Sequence, residues 1–377
     1  MNSSQAPVGL IARDPFRHAR AEAYETLDAS NPGLDFAASV ACVESQIAAS
    51  SRAWSSVKEE VMGEEMSSSF DRIVSAKANS CYLKNLPVAF AFGYFLGSQI
   101  TRMLGGDSAQ AEEGGICAAL FNSFASLFDK LLDNYPELYP RLMQVSTSEA
   151  ILESVTSGPS GYWEASVENE THFGLKILSR FMGSYFKRCQ SLLSAERDEK
   201  VVQMFRTTMI AAYDGELRSK DCLIYSNLRF DEVHDILFAK SVLPSHLVFL
   251  TSLMVASAIR KVDLPGWEDV ATKLGLAVWI ADDISDLGRD LHASRWNYVW
   301  LLLARDRGAN VFGPDYRSPQ AAELDRELVS TGIIAEAVTT AVTGFTQSMR
   351  WLEENTKYDL AFFRQGFLAW LKSWVMA

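Results

Sequence analysis

Apolar residues recur every three or four positions through most of this chain, and two of the apolar stretches end in carboxylates spaced one helical turn apart. Stretches that alternate polar and apolar residues over the length of a strand are scarce, and no Asn-Gly or Asp-Gly hairpin signal is present. A three-to-four residue period is typical of amphipathic helices. One such predicted face is formed by Leu120, Phe124, Leu127, Phe128, Leu131 and Leu132. The sequence therefore predicts an all-α fold.

No repeat, low-complexity tract or Gly/Pro/Ser-rich linker divides the chain. We expect a polar N-terminal arm over residues 1–35 and one α-helical domain over residues 36–377. Glycine pairs at Gly105-Gly106 and Gly114-Gly115 predict loops. Pro244 predicts a kink or the start of a new helix, because proline cannot donate the backbone hydrogen bond of a helix interior.

Composition excludes several classes of protein. The formal net charge is -12 and the pI about 5.0, so a nucleic-acid backbone would be repelled and no nucleic-acid partner is expected. The five cysteines lack the close pairing of a zinc site or a disulfide framework. The N-terminus lacks the apolar segment of a secretory signal, and the longest apolar runs, 86–97 and 246–259, are shorter than a membrane span. A cytoplasmic protein without a transmembrane segment is predicted.

Two acidic clusters carry the chemistry. Asp129 and Asp133 are four residues apart, so they share one face of a helix. About 150 residues later, Asp282, Asp286 and Asp290 repeat the same spacing, with Asp283 beside them.

Both clusters follow apolar turns, so the carboxylates would enter the protein interior, where unpaired charge is costly. Mg²⁺ is bound through carboxylate oxygens and shares its shell with substrate phosphates. Basic residues, among them Lys240, Arg289 and Arg295, could stabilise a departing diphosphate.

The second cluster lies in a segment that resembles the trans-isoprenyl diphosphate synthases. DEVHDILFAKSVLPSHLVFL is similar to that family's Y-L-x-I-x-x-K-T helix, with Lys240-Ser241 in place of Lys-Thr. LGLAVWIADDISD is similar to its G-L-A-F-Q-I-x-D-D-x-x-D motif. Asp290 and the residues SRWN follow where the family has an aspartate and G-K-x-T, so that Arg295 replaces the lysine.

The first half of the chain is more loosely similar. LFDKLLDN resembles L-I-H-D-D-x-x-D-N with Lys130 in place of the middle aspartate, and Gly215-Glu216 resembles a Gly-Gln pair. The family's G-K-R-x-R-P segment binds isopentenyl diphosphate. Its counterpart here, YLKNLP, retains one basic residue, Lys84, and the arginine pair after the first motif is missing.

The resemblance implies a single-domain isoprenoid synthase bundle whose two aspartate motifs face a central cavity. Mg²⁺ would be held by Asp129, Asp133, Asp282 and Asp286, assisted by Asp283. The diphosphate would be bound by Lys240, Arg295, Arg289 and Lys84. The residues that would line the cavity are Phe121, Phe124, Phe92, Phe95, Trp279 and Glu216.

Because the isopentenyl site is eroded, the expected activity is that of a class I terpene synthase, which ionises an allylic C15 or C20 diphosphate and releases pyrophosphate. Transfer of the prenyl group to isopentenyl diphosphate or to an acceptor such as an indole is the first alternative. A non-catalytic partner subunit of a prenyl synthase is the second. Homodimers are common in the family, so a homodimer is a further expectation.

Overall fold

The computed structural model describes residues 14–30, 35–75, 81–138, 153, 172–195, 198–224, 229–257, 262–307 and 321–376. Within these ranges the secondary structure is helical, with one isolated bridge between Leu223 and Arg295 and no strand. The predicted all-α class is confirmed. The α-helices are α1 (Arg17–Ser30), α2 (Phe36–Ser75), α3 (Cys81–Lys84), α4 (Leu86–Met103), α5 (Ser108–Asn134), α6 (Phe173–Ala195), α7 (Glu199–Ser219), α8 (Phe230–Ser241), α9 (Leu243–Ala256), α10 (Leu264–His292), α11 (Tyr298–Arg307), α12 (Ala321–Ser330), α13 (Ile333–Asn355) and α14 (Ala361–Met376).

Helix α9 is surrounded by other helices. It contacts α4, α5, α6, α7, α8 and α10, and every residue from Leu247 to Val255 is buried. The helix begins directly after Val242, and Pro244 lies in its first turn. The missing backbone N–H of proline is tolerated there, because the first N–H groups of a helix have no hydrogen-bond acceptor within it. The prediction that Pro244 starts a new helix is confirmed.

Helices α4 and α5 pack backbone to backbone. A β-carbon at Gly97 would come within 2.3 Å of the Gly114 carbonyl oxygen, and one at Gly114 within 2.1 Å of Thr101 Oγ1. The predicted loop at Gly114-Gly115 is therefore wrong, because both glycines lie inside α5 and serve close helix packing. This packing holds the helix that ends in the first aspartate cluster.

The N-terminal segment is described from residue 14. Helix α1 buries Ala19, Ala23, Tyr24 and Leu27, although the segment is polar on average. The Arg20 guanidinium donates a 2.5 Å hydrogen bond to the Ser285 carbonyl oxygen of α10. This part of the predicted arm thus packs against the helix that carries the second aspartate cluster.

Among the described residues, two helical stretches are long and apolar enough to cross a membrane, Ser108–Asp133 and Phe230–Ala256, and a third arises if α12 and α13 count as one bent span. The first has 67% of its most apolar window buried inside the protein. The expectation that the chain has no transmembrane segment stays a prediction.

Candidate functional site

The ends of α5 and α10 bring the two acidic clusters to one cavity. The cavity opens to solvent and has about 630 Å³ of empty space. Both acidic clusters therefore line the same cavity, together with the basic residues Lys220, Lys240, Arg289 and Arg295. Its lining comprises Asp129, Asp133, Ser219, Lys220, Leu237, Lys240, Ser241, Trp279, Asp282, Asp283, Asp286, Arg289, Asp290, Arg295 and Trp296.

The first cluster is neutralised by cations of the protein itself. Lys220 Nζ lies 2.8 Å from Asp129 Oδ1 and 3.1 Å from Asp133 Oδ1. Lys240 Nζ lies 3.1 Å from the same Asp129 oxygen. Arg295 Nη1 donates to Asp133 Oδ1 at 2.5 Å, and Lys130 Nζ is 3.4 Å from Asp129 Oδ2. Each carboxylate of this cluster therefore has at least two cationic partners.

Two local contacts bring these cations together. The bridge between Leu223 and Arg295 joins the loop after α7 to the loop after α10, and Ile224 N donates to the Ser294 carbonyl oxygen at 2.8 Å. Ser294 has a positive φ of 54°, an uncommon backbone conformation for a residue other than glycine. Through this pairing, Lys220 and Arg295 both reach Asp133 Oδ1.

The second cluster is held by hydrogen bonds more than by cations. Asp283 Oδ2 accepts the Tyr298 backbone amide at 2.5 Å, and Asp290 Oδ2 accepts Asn297 Nδ2 at 2.9 Å. Asn297 is buried and also caps α11, because its Oδ1 accepts the Trp300 amide at 3.0 Å. Among the described residues, Asp286 is the carboxylate of this cluster that forms an ion pair, and its partner is Arg289.

The two clusters consequently differ in electrostatics. Burial alone would raise the pKa of Asp129, but Lys240, Lys220 and Lys130 hold it well below its ordinary value. In the second cluster, burial raises the pKa of Asp283 well above its ordinary value, and the charge of Asp290 raises it further. Burial likewise raises the pKa of Asp290 to about 6, against the opposing hydrogen bond from Asn297.

Asp282 is exposed, but it lines the charged cavity. Desolvation by the surrounding protein raises the pKa of its carboxyl. Lys130 is the strongest charge that opposes this rise. The second cluster therefore concentrates negative charge that the protein compensates only in part.

An apolar cavity adjoins the polar one. It has about 540 Å³ of empty space and shares Lys240 with the charged cavity. Lys240 Nζ lies 3.5 Å from Oε2 of Glu216, which lines the apolar cavity. Burial lowers the pKa of Lys240, but the charges of Asp129 and Glu216 outweigh this effect and raise the pKa above its ordinary value. The cavity is lined by Phe121, Phe124, Ala125, Phe128, Met182, Phe186, Met209, Ala212, Tyr213, Glu216, Lys240 and Pro244.

Most of the residues singled out from the sequence meet at these two cavities. The polar cavity gathers all five predicted aspartates together with Lys240, Arg289, Arg295 and Trp279. The apolar cavity contains Phe121, Phe124 and Glu216.

Three predicted residues lie elsewhere. Phe92 packs against Trp370 and Trp374, and Phe95 against Phe362 and Phe363. Both rings therefore face α14 and belong to the core, because α4 turns them away from the aspartate clusters. Lys84 is exposed at the end of α3 and is absent from the cavity lining. The structure does not bring Phe92, Phe95 or Lys84 to the lining of either cavity, and their predicted roles stay predictions.

Sequence reasoning missed Lys220 as a member of the site. Its signal was weak: a lysine four residues after Glu216, at the end of an amphipathic helix. The aromatic and sulfur-containing wall from α6 and α7 was also missed, because Met182, Phe186 and Met209 look like ordinary core residues in the sequence. Only the packing of α6 against α5, and of α7 against α8 and α9, distinguishes them.

Whether Mg²⁺ fits the site can be judged from its donors. No group of three or more carboxylate, histidine or cysteine side chains is gathered at metal-binding distances among the described residues. The donor chemistry nevertheless suits a hard cation, because Asp282, Asp283 and Asp286 line one cavity and their charge is only partly compensated. The first cluster fits it less directly, since Lys220 already lies between Asp129 and Asp133.

No family model, curated protein or solved structure matches this chain. The similarity to isoprenyl diphosphate synthases therefore stays a prediction from the motifs. The case for function rests on the geometry of the two cavities.

Proposed function

We propose that the protein is a class I terpene synthase that ionises an allylic prenyl diphosphate with Mg²⁺ and releases pyrophosphate. One observation carries the proposal: a charged cavity and an apolar cavity lie side by side and share Lys240. A prenyl diphosphate has the matching division, with a polyanionic head and a hydrocarbon tail. The proposal places this chain in the isoprenoid synthase fold family.

The charged cavity suits the diphosphate head. Lys240, Lys220 and Arg295 lie on the side of Asp129 and Asp133, and Arg289 lies on the side of Asp286. Charge-assisted hydrogen bonds from such groups to phosphate oxygens are about twice as strong as neutral ones. These cations would orient the head so that its carbon–oxygen bond points at the apolar cavity.

Mg²⁺, held by Asp282 and Asp286 with Asp283 and by Asp129 and Asp133, would supply positive charge to the leaving pyrophosphate. The carbon–oxygen bond breaks with both electrons passing to the pyrophosphate oxygen. The organic fragment remains as an allylic cation.

The apolar cavity suits the cation. Phe121 and Phe124 are stacked edge to face with ring centroids 5.2 Å apart, and Phe128 lies one turn further along α5. The faces of aromatic rings attract cations. A wall without bulk water also prevents premature capture of the cation. Internal attack by the chain's own double bonds and loss of a proton would give a hydrocarbon, and late addition of water would give an alcohol.

Transfer to a second diphosphate is less well supported. Lys84, the one basic residue retained in the segment similar to the isopentenyl site, is exposed and lies outside the cavity lining. A second polyanion would need its own cations to lie near the first. A non-catalytic subunit role is disfavoured by the presence of all five predicted aspartates at one cavity.

The test is incubation of the purified protein with C10, C15 and C20 allylic diphosphates in Mg²⁺. We expect pyrophosphate release and a terpene of unchanged carbon number in the solvent extract, and no release with EDTA. Asp282→Asn serves as the inactive control. Turnover that appears only with isopentenyl diphosphate or with an indole would favour the prenyltransferase alternatives. No turnover under any condition, with the fold intact, would favour the subunit alternative.

A further inference from the structure

Lys220 occupies the position between the two carboxylates of the first cluster. Its Nζ lies 2.8 Å from Asp129 Oδ1, 3.1 Å from Asp133 Oδ1 and 3.0 Å from Glu216 Oε1. The ammonium donates hydrogen bonds to the two aspartates and forms an ion pair with Glu216. The side chain is 11% exposed, so the ammonium is largely enclosed by the site.

A magnesium ion bridging Asp129 and Asp133 would need the same oxygens. Mg²⁺ binds carboxylate oxygens at about 2.0–2.1 Å and tolerates little distortion of its octahedral shell. An ammonium within 2.8 Å of Asp129 Oδ1 and 3.1 Å of Asp133 Oδ1 would lie in or against that shell, and two cations so close repel each other. Lys220 and a bridging metal ion therefore exclude each other.

We infer that Lys220 is a built-in counter-ion of the first aspartate cluster, which magnesium diphosphate displaces and which then pairs with the diphosphate. The inference rests on the proposed function and names a residue that positions the metal and the substrate together. Lys220 lines the charged cavity, so a small rotation of its side chain suffices to turn the ammonium from Asp133 toward a ligand there. Glu216, on the same helix one turn earlier, can keep contact with it during that movement.

The exchange couples metal binding to diphosphate binding. Without a diphosphate, Mg²⁺ must displace Lys220 from its hydrogen bonds to both aspartates, which weakens metal binding at Asp129 and Asp133. With a diphosphate present, the displaced ammonium gains phosphate oxygens. By linkage, binding of either ligand then increases the affinity of the protein for the other by the same factor.

Lys240 does not explain the same coupling. It contacts Asp129 at 3.1 Å and Glu216 at 3.5 Å, and no contact with Asp133 is present among the described residues. Lys240 therefore leaves the bridging position between the two aspartates open, whereas Lys220 fills it.

The experiment uses Lys220→Gln, with Arg218→Gln as the matched control. Arg218 is exposed in the last turn of the same helix and lies outside the cavity lining. Calorimetric titration would measure binding of Mg²⁺ alone and of inorganic pyrophosphate in the presence of Mg²⁺. We expect Lys220→Gln to bind Mg²⁺ alone about tenfold more tightly and magnesium pyrophosphate about tenfold more weakly. Arg218→Gln should match the wild type in both titrations.

If Lys220→Gln does not fold, as judged by circular dichroism, Lys220→Arg decides. A guanidinium can hold both carboxylates in a fork, so Mg²⁺ alone should bind this variant more weakly than the wild type. Unchanged affinity for Mg²⁺ in the folded variant would overturn the inference while leaving the proposed function in place. A wild-type protein that binds no magnesium pyrophosphate and consumes no prenyl diphosphate would overturn both.

Discussion

Gly215 of α7 lies directly against the backbone of Lys240 in α8. A β-carbon at residue 215 would come within 2.7 Å of the Lys240 amide nitrogen and 2.7 Å of Ala239 Cβ. This close approach allows Glu216 and Lys240 to meet where the charged and the apolar cavities join. The glycine therefore sets the position of a lysine that contacts Asp129.

Gly215→Ala should push α8 away from α7 and displace Lys240. Because the neighbouring atoms are backbone, we expect a loss of about 1–3 kcal/mol in the free energy of unfolding, together with a raised KM for the diphosphate. Gly183→Ala in α6 is the control, since a β-carbon there would meet nothing within 4 Å. The control should stabilise the protein slightly through its higher helix propensity. Denaturant unfolding and steady-state kinetics would measure both effects, and equal stability of the two variants would contradict the packing argument.

Asp129→Asn and Asp282→Asn should both abolish pyrophosphate release but should change stability in opposite directions. Asp129 neutralises Lys220, Lys240 and Lys130, so its loss leaves these ammonium groups short of a partner and should cost about 2 kcal/mol or more. Asp282 is a carboxylate with a raised pKa, so a neutral amide should leave stability unchanged or raise it. Thermal unfolding in EDTA would measure the difference. Near-normal turnover in either variant would contradict its role in the site.

Asp290 should make the metal-free protein more stable as the pH falls from 7.5 to about 5. Its pKa is about 6 in the folded protein, above the ordinary value near 3.9 for an unfolded chain. The folded state therefore binds the proton first, and stability rises as the pH drops through 6, by about 1 kcal/mol. The check is to measure the free energy of unfolding against pH in EDTA for the wild type and for Asp290→Asn. Subtracting one from the other removes the contribution of the other titrating groups. Parallel curves would show that Asp290 titrates normally.

Lys130→Asp should increase the dependence on Mg²⁺. Lys130 contacts Asp129 at 3.4 Å and is the strongest charge that opposes the raised pKa of Asp282, so its charge reaches both clusters. Replacing it by a carboxylate adds repulsion that a divalent cation would relieve. We expect lower thermal stability in EDTA and a larger stabilisation by Mg²⁺ than in the wild type, with the neutral Lys130→Met between the two. A stabilisation by Mg²⁺ identical in all three proteins would show that Lys130 does not influence the metal site.

Isopentenyl diphosphate should neither speed consumption of the allylic diphosphate nor lengthen the product. The segment similar to the isopentenyl site keeps one basic residue, Lys84, which is exposed and lies outside the lining of the charged cavity. Lys84→Ala should therefore have wild-type activity. Gas chromatography of the extracts, after phosphatase treatment of the aqueous phase, would detect any product longer by five carbons. Such a product would restore chain elongation as the function.

Local patterns in the sequence were sufficient for the helices and for the two aspartate faces. The period of the apolar residues predicts helical structure at Leu120–Leu132, which lies within α5, and Pro244 predicts where α9 begins. Aspartates four residues apart necessarily share a face of their helix. These features depend on neighbours within one or two turns, so a single sequence contains them.

The tertiary structure decided which faces meet. Gly114 and Gly115 look like a loop in the sequence, but they let α4 and α5 pack at van der Waals distance. The sequence gives no reason to prefer Phe124 over Phe92 as a cavity residue. Phe124 lines the apolar cavity, whereas Phe92 packs against Trp370 of α14. Lys220 reaches Asp129, 91 positions away along the chain, only after α7 packs against α8 and α9. The helical period determines the direction in which a side chain points from the axis of its helix. It does not determine which other helix lies opposite, because that depends on packing over the whole chain.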